Sequence, residues 1–502
     1  MIHAALQAPV GRAASSGLTV RTQWSVLPLF LIVAALFLYW DAASVPVVLW
    51  DESRNIVNAL EMRASGWSLV TTFGFEPDHW NSKPPLLIWL MTGSLALFGP
   101  VEWALRVPVM LASLGTLALT FIFARRFTGS RSVALFACAV LLLSPGFFAG
   151  HGARTADYDA LLTFFTTAYL FLLFIAFSRA TPRRSTVVVA GLAIAGAVLT
   201  KSSAGLLPGA GVFLYLLVTA RFGRVVREPL YWVMALVAVA PVALFYVARE
   251  IAAPGYLQAV QFNEFSGRFG QTLIGREEPL WFYVRDMLRG WFVAAPLMAV
   301  APLGWSRVRG KSRLLLIYCL CVSLGVIAVL SVASTKLPHY ALPAYPPLAI
   351  AAALLLRGAY ASLAERVRTP RQAMFLGVTV ALCLALPTVR SLYWRIESLP
   401  ASQAAPATGY GPLFANLLAQ GVSEVSVMDP GIRLDGRTDY APVLRAYQLL
   451  WAEHGLRAVR APGGAVLASC DRPTAVRLLR LGRDIGGVPG CVAVTSERAG
   501  RS

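Results

Sequence analysis

The 502 residues are 57% hydrophobic and only 14% charged, with 44 Lys+Arg against 25 Asp+Glu and a net charge of +19. A soluble domain carries roughly 25% charged residues, so the composition excludes a soluble enzyme, a disordered tail and a disulfide-built secreted module; it leaves a polytopic α-helical membrane protein. The basic excess fits cytoplasmic loops, where membrane proteins collect Lys and Arg, and calls for a lipid bilayer as partner and no nucleic acid.

In chain order, apolar stretches of near-membrane length predict about eleven transmembrane helices, at 25–40, 103–124, 132–149, 160–177, 186–199, 204–219, 229–248, 287–303, 314–330, 342–356 and 372–389. Arg12 and Arg21 precede the first, which reads as an uncleaved span rather than a signal peptide. The 83–98 stretch starts with Pro84-Pro85 and is short, so it reads as an interfacial or re-entrant helix. With eleven spans and the N-terminus inside, loops 125–131, 178–185, 220–228, 304–313 and 357–371 are cytoplasmic. They hold 17 Lys/Arg against two acids, Glu228 and Glu365. That asymmetry obeys the positive-inside rule, and a span at 83–98 would break the alternation.

The chain divides into 1–390, a transmembrane part with long outer loops at 50–102 and 249–286, and 391–502, a polar region without a span. In the second, strand-like runs at 422–428, 456–459, 465–468 and 491–494 alternate with helical patterns at 441–454 and near 474–481. This predicts a small α/β domain on the outer side. Cys470 and Cys491 lie in it and can pair in an oxidising compartment if the fold brings them together; spacing alone leaves that open. Cys138, Cys319, Cys321 and Cys383 lie in apolar runs as small core residues, and no CxxC pair suggests structural zinc.

The outer loops carry the chemistry. The first holds Asp51, Glu52, Arg54, Glu61, Glu76, Asp78, His79 and Lys83. The second holds His151, Arg154, Asp157 and Asp159. The 249–286 loop holds Glu250, Glu264, Arg268, Arg276, Glu277, Glu278 and Asp286, and the loop after the ninth span holds Lys336, His339 and Tyr340. Ionisable groups at a membrane boundary are costly unless paired, hydrated or functional. All project to one side, which predicts a polar cavity at the outer leaflet. Carboxylates there can act as general bases, and Lys and Arg can neutralise a phosphate. The pattern suggests group transfer from a lipid phosphate; composition alone does not separate this from a transporter or flippase.

Five motifs in order sharpen the reading. They are Asp51-Glu52-Ser53-Arg54; Lys83-Pro84-Pro85-Leu86 followed by Trp89; Arg154-Thr155-Ala156 through Asp159; Leu199-Thr200-Lys201; and Ser334-Thr335-Lys336-Leu337-Pro338-His339-Tyr340 with Leu342-Pro343. Together they resemble the bacterial lipid-linked-sugar glycosyltransferases of GT-C fold, the family of the 4-amino-4-deoxy-L-arabinose lipid A transferase and the protein O-mannosyltransferases. The resemblance spans about 51–347, and one departure is Ser202, where the family's Leu-Thr-Lys-Gly turn has glycine.

The resemblance implies an inverting transfer from a polyprenyl (undecaprenyl) phosphate sugar to a lipid A, glycan or protein acceptor at the periplasmic face of the inner membrane. Asp51 would be the base that deprotonates the acceptor, unless it only caps the following helix. Asp159 would be the second carboxylate, with capping of the fourth span as its alternative. Lys83 and Arg268 would bind the donor phosphate, and Tyr340 would close that site. Arg54 would orient Asp51 or anchor the interface. Lys336 and Lys201 are further phosphate candidates, or cations snorkelling to the interface. Glu52 reads as a supporting or solvated acid, and Asp157, off the motif, as solvated. Some aminoarabinose transferases carry a Glu and a His where this chain has Ser82 and Asn263. Neither is a good divalent ligand, so no metal is assigned there. His79, His151 and His339 share the outer side and offer an alternative set.

Overall fold

The computed structural model describes residues 26–266, 278–398, 409–434 and 437–496. Every expected apolar stretch coincides with a helix or a bent helix pair. Seven are long and apolar enough to cross a membrane: Glu102–Thr128, Tyr158–Phe177, Arg184–Leu206, Pro229–Ala252, Gly310–Val332, Pro338–Ala364 and Pro370–Glu397. Val26–Tyr39, Arg131–Leu142 and Gly209–Val218 are shorter apolar helices, as is Leu86–Phe98, the stretch expected to be interfacial. The 287–303 stretch is not one straight span. Phe282–Trp291 and Pro296–Trp305 meet at 105°. Gly290, near the end of the first arm, takes φ 110°, a conformation open to glycine, and Pro296 opens the second arm where its missing N–H is harmless.

Local chemistry sets the ends of these helices. Glu102–Thr128 stops at Gly129, left-handed at φ 68°, with Arg125 and Arg126 in the last turn beside the exposed carbonyls. Thr369 and Gln372 form a reciprocal capping box at the start of the last long helix. Tyr158–Phe177 is capped by Asp157, whose carboxylate accepts from the Tyr158 N–H, so Asp159 falls in the first turn with its side chain free for another task. Small residues bring helices together: a Cβ on Gly325 would stand 2.4 Å from the Gly211 Cα, so Gly209–Val218 and Gly310–Val332 touch backbone to backbone.

The polar C-terminal region is the expected α/β unit. Its five-stranded sheet centres on Glu424–Val427, parallel to Arg457–Val459 on one side and to Val466–Ser469 on the other. Val492–Ser496 then pairs antiparallel with Val466–Ser469 and carries Gly482–Asp484 at the edge. Helices Tyr410–Ala419 and Pro442–Ala452 pack their buried faces on it. Cys470 and Cys491 form a disulfide.

This unit shares one core with the first outer loop. Ile56, Leu60, Leu87 and Tyr158 belong to the same buried cluster as Tyr410, Leu444, Tyr447 and Val425. Polar contacts seal the seam. Tyr447 accepts from the Val47 N–H at 3.0 Å, Arg445 reaches Glu61 at 3.0 Å, and Arg63 meets Glu453 at 3.0 Å. The sequence boundary at 390 falls inside the Pro370–Tyr393 helix. The sheet unit sits against the Asp51–Ser65 helix rather than apart from it.

Candidate active site

Four parts of the chain, far apart in sequence, bring their residues to one place. Asp51 opens the Asp51–Ser65 helix. It makes no side-chain cap; Trp50 holds the N-cap position. Its carboxylate is half exposed, and Oδ2 faces His151 Nδ1 at 3.8 Å. His151 is also bonded through Nδ1 to Asp157. The His151 ring stacks on His339, with centroids 3.9 Å apart and planes 22° apart. His339 Nε2 lies 3.9 Å from Asp159 Oδ2, which accepts the Lys201 ammonium at 2.6 Å. The Lys201 Nζ in turn sits 5.1 Å from the centre of the Tyr340 ring.

Asp157 corrects the sequence reading. It is 1% exposed, not solvated, and serves both as cap of the Tyr158–Phe177 helix and as the partner of His151. Burial pushes the imidazolium toward losing its proton, but the charges of Asp157, Asp51 and Asp159 outweigh that and lift His151 to about 9. Burial alone would raise the Asp157 carboxyl; His151 and Lys201 overcome this and hold it down at about 2.

A second cation and carboxylate face this group. Lys83 is buried, 4.0 Å from Glu264 and 5.5 Å from the centre of the Tyr158 ring. Ser82 donates to Glu264 at 2.9 Å, while Tyr256 holds the Ser82 carbonyl at 2.8 Å. Asp159, Lys201, Glu264 and Tyr340 line one cavity of about 60 Å³, walled by Leu162 and Leu330 among other apolar residues. One side therefore carries an ammonium, two carboxylates and hydroxyls, and the other is hydrocarbon. Asp159 Oδ1 is buried with no hydrogen-bond partner. An acceptor left bare in this way costs free energy until a ligand supplies a donor or a cation.

The remaining candidates separate. Arg54 does not orient Asp51. Its guanidinium grips Asp78 with two bonds at 2.6 and 2.8 Å and donates to the Tyr440 hydroxyl at 3.0 Å. The reason is burial: Asp78 is 3% exposed and needs a counter-charge, whereas Asp51 faces solvent. Burial would raise the Asp78 carboxyl, but the Arg54 bonds and charge dominate and hold it below the usual carboxylate range. Lys336 donates to the Ala333 carbonyl at 2.7 Å, one turn back. Arg268 lies outside the described residues. Ser82 and Asn263 are engaged otherwise, Ser82 with Glu264 and Asn263 with the backbone of His79 and Trp80, and they offer no metal-ligand set.

Glu52, read as supporting or solvated, is a structural hub. It is 2% exposed, pairs with the equally buried Arg106 at 2.9 Å, and accepts from the Val48 and Ala156 N–H groups at 2.8 Å each. It thereby ties the chain entering Asp51 to the segment leading to Asp159. Asp41 performs a similar service for Arg154 and Arg395. Its isolation between motifs gave no sequence signal. Backbone conformation marks the same places: Trp50, His151 and Ser202 take φ of 77°, 66° and 47°. Such non-glycine residues cost about 1–3 kcal/mol each and cluster at functional sites. Ser202, directly after Lys201, occupies the position where the resemblance led one to expect glycine.

Comparisons with known proteins follow the same line. A family model described as dolichyl-phosphate-mannose-protein mannosyltransferase matches residues 82–246, about a third of the chain. An "Uncharacterized protein" of Aquifex aeolicus is 29% identical over 378 residues, covering 74% of this chain and 70% of that protein. The undecaprenyl phosphate-alpha-4-amino-4-deoxy-L-arabinose arabinosyl transferase 2 of Pseudomonas fluorescens is 26% identical over 356 residues, 68% of this chain and 58% of that protein. The match thus spans less than two thirds of the length of that arabinosyl transferase. ArnT from Cupriavidus metallidurans, solved bound to undecaprenyl phosphate, superposes with a TM-score of 0.66 at 18% identity, covering 94% of this chain and 98% of that one. The apo oligosaccharyltransferase of Archaeoglobus fulgidus gives 0.53 at 13% identity, covering 80% and 59%. The resemblance to GT-C lipid-linked-sugar glycosyltransferases is borne out, and the fold is theirs.

Proposed function

We propose that the chain is an inverting membrane glycosyltransferase that takes a sugar from a polyprenyl phosphate of the undecaprenyl type and transfers it to a lipid A, glycan or protein acceptor. We place it in a bacterial inner membrane, with the cavity and the C-terminal unit on the periplasmic side. The observation that carries this reading is the cavity where Lys201 and Asp159 meet Glu264 and Tyr340 beside a hydrocarbon wall, next to the half-exposed Asp51.

A lipid phosphate suits such a cavity. Its chain lies along the apolar wall, and its charge draws the ammonium groups of Lys201 and Lys83 from their carboxylate partners. Asp51, open to solvent, takes the proton of the acceptor hydroxyl as that oxygen attacks the anomeric carbon. The bond to the phosphate oxygen breaks on the opposite face, and the anomeric configuration inverts. Charge grows on the leaving phosphate, where fixed cations and the Tyr340 hydroxyl stabilise it more than in the ground state. Asp159 keeps Lys201 in place. Arg268 is the further phosphate ligand that the motif suggests. A transporter would need its polar groups near the middle of the bilayer, whereas here they gather at one end of the helices.

The test is mass spectrometry of lipid A and the other envelope glycans from wild type, a deletion, and the deletion complemented with Asp51→Asn. One sugar increment should vanish in the deletion and stay absent with Asp51→Asn. Full restoration by Asp51→Asn would remove Asp51 as the base and the transferase reading with it.

A further inference from the structure

We propose that His151, His339 and Asp159 form a divalent metal site that takes zinc, on the wall shared with the cavity. One atom from each of these side chains lies within 4.8 Å of one atom from each of the others. They come from the second outer loop, from the Pro338–Ala344 turn and from the first turn of the Tyr158–Phe177 helix, so the tertiary fold, not local sequence, assembles them. The site is distinct from the Ser82 and Asn263 positions.

Four features point to a cation there. First, Asp159 is 1% exposed; Lys201 occupies Oδ2 while Oδ1 is buried and bare. A carboxylate can bridge an ammonium and a metal with its two oxygens, and a metal would satisfy the bare one. Second, two imidazoles stack face to face at 3.9 Å. Their nearness puts two imidazole nitrogen donors within reach of Asp159, with His339 Nε2 at 3.9 Å from Oδ2. Third, Asp157 is bonded to His151 Nδ1. A carboxylate on one ring nitrogen is the arrangement that orients an imidazole to ligate through the other. Fourth, among the described residues Asp51, Asp157 and Asp159 place three carboxylates around the group beside the Lys201 ammonium, an arrangement that suits a double positive charge.

The donor set, two nitrogens and one oxygen, fits zinc with a position left for water or substrate. Zinc–nitrogen bonds of about 2.0–2.1 Å put tetrahedral ligand atoms roughly 3.4 Å apart. The metal site does not rest on the transferase reading, because metal binding is measured apart from transfer.

The experiment uses the full chain in detergent, stripped with a chelator and dialysed against zinc sulfate, with bound metal counted by plasma mass spectrometry. Cobalt(II) absorption reports the coordination geometry. Wild type should hold one zinc per chain and show the intense visible bands of four-coordinate cobalt. His339→Gln and His151→Gln should bind roughly tenfold or more weakly and lose those bands, while His79→Gln, outside the set, should match wild type. Wild type that takes up no zinc at about 100 µM, or a His339→Gln protein that binds as tightly as wild type, would overturn the site. These outcomes leave the sugar-transfer test untouched, so the two proposals fail separately.

Discussion

Glu52→Gln isolates what the buried framework contributes to the site. The substitution keeps size and shape and removes one charge. It leaves the Arg106 guanidinium, 2% exposed, without the carboxylate that it meets at 2.9 Å. Arg106 keeps the Val45 and Pro46 carbonyls at 2.7 and 2.9 Å, but neutral acceptors do not offset a buried charge. Breaking such a pair from one side costs about 3–5 kcal/mol. At about 1.4 kcal/mol per factor of ten, that shifts the unfolding equilibrium by more than a hundredfold. The Val48 and Ala156 amides also exchange a charged acceptor for a neutral one, which loosens both segments that carry the site carboxylates.

Polytopic proteins often unfold irreversibly, so the assay is the rate of thermal inactivation in detergent, followed by loss of monodisperse protein on size exclusion. Glu52→Gln should inactivate much faster than wild type. Glu52→Gln combined with Arg106→Met should recover much of the loss, because no uncompensated charge remains. A single variant as durable as wild type, or a double variant no better than the single, would refute the account of Glu52 as a charge-matched hub.

Arg54→Met should destabilise the first outer loop by a similar order, about 3–5 kcal/mol, by stranding Asp78, as read by limited proteolysis. Because Asp78 is held below its usual value, its contribution is complete above the unfolded pKa near ~3.9 and is lost as pH falls through the lower folded value. Wild type should therefore lose stability below about pH 4, and Arg54→Met should show a flatter acid limb. Cys470→Ser should cost about 2–4 kcal/mol by opening a crosslink between residues 21 apart, seen as earlier unfolding of the C-terminal unit; added reductant should then do nothing further. Gly325→Val should destabilise by about 1–3 kcal/mol or more, because the added carbons meet the Gly211 backbone; an unchanged melting temperature would deny the contact.

Much of this molecule was legible as pattern. Apolar runs located the helices, since a span must satisfy its own backbone in lipid. The period of Val422–Met428 and of the stretch around Tyr447 located the sheet unit, and ordered motifs brought Asp51, Lys83 and Asp159 forward. What escaped was anything decided by burial. Asp157 and Glu52 look like ordinary loop acids until the fold closes over them, and Asp41 carries no motif at all. Arg54 sits three residues from Asp51, yet its partner is Asp78, 24 residues on, because a counter-charge goes where desolvation demands it. The broken 287–303 stretch reads as continuous because hydropathy does not register a single glycine at positive φ.

The seam between the first outer loop and the C-terminal unit has a consequence in time. Val47 and the Tyr447 hydroxyl that receives its N–H are 400 residues apart. At about 5–20 residues per second of synthesis, roughly 20–80 s pass between the making of one partner and the other. Throughout that interval the helix bearing Asp51 has been laid down but lacks half of the core that holds it. The growing chain therefore lacks that support until its final fifth has been made and folded, and a chain cut short near its end would keep every motif without the part of the core that braces the Asp51 helix.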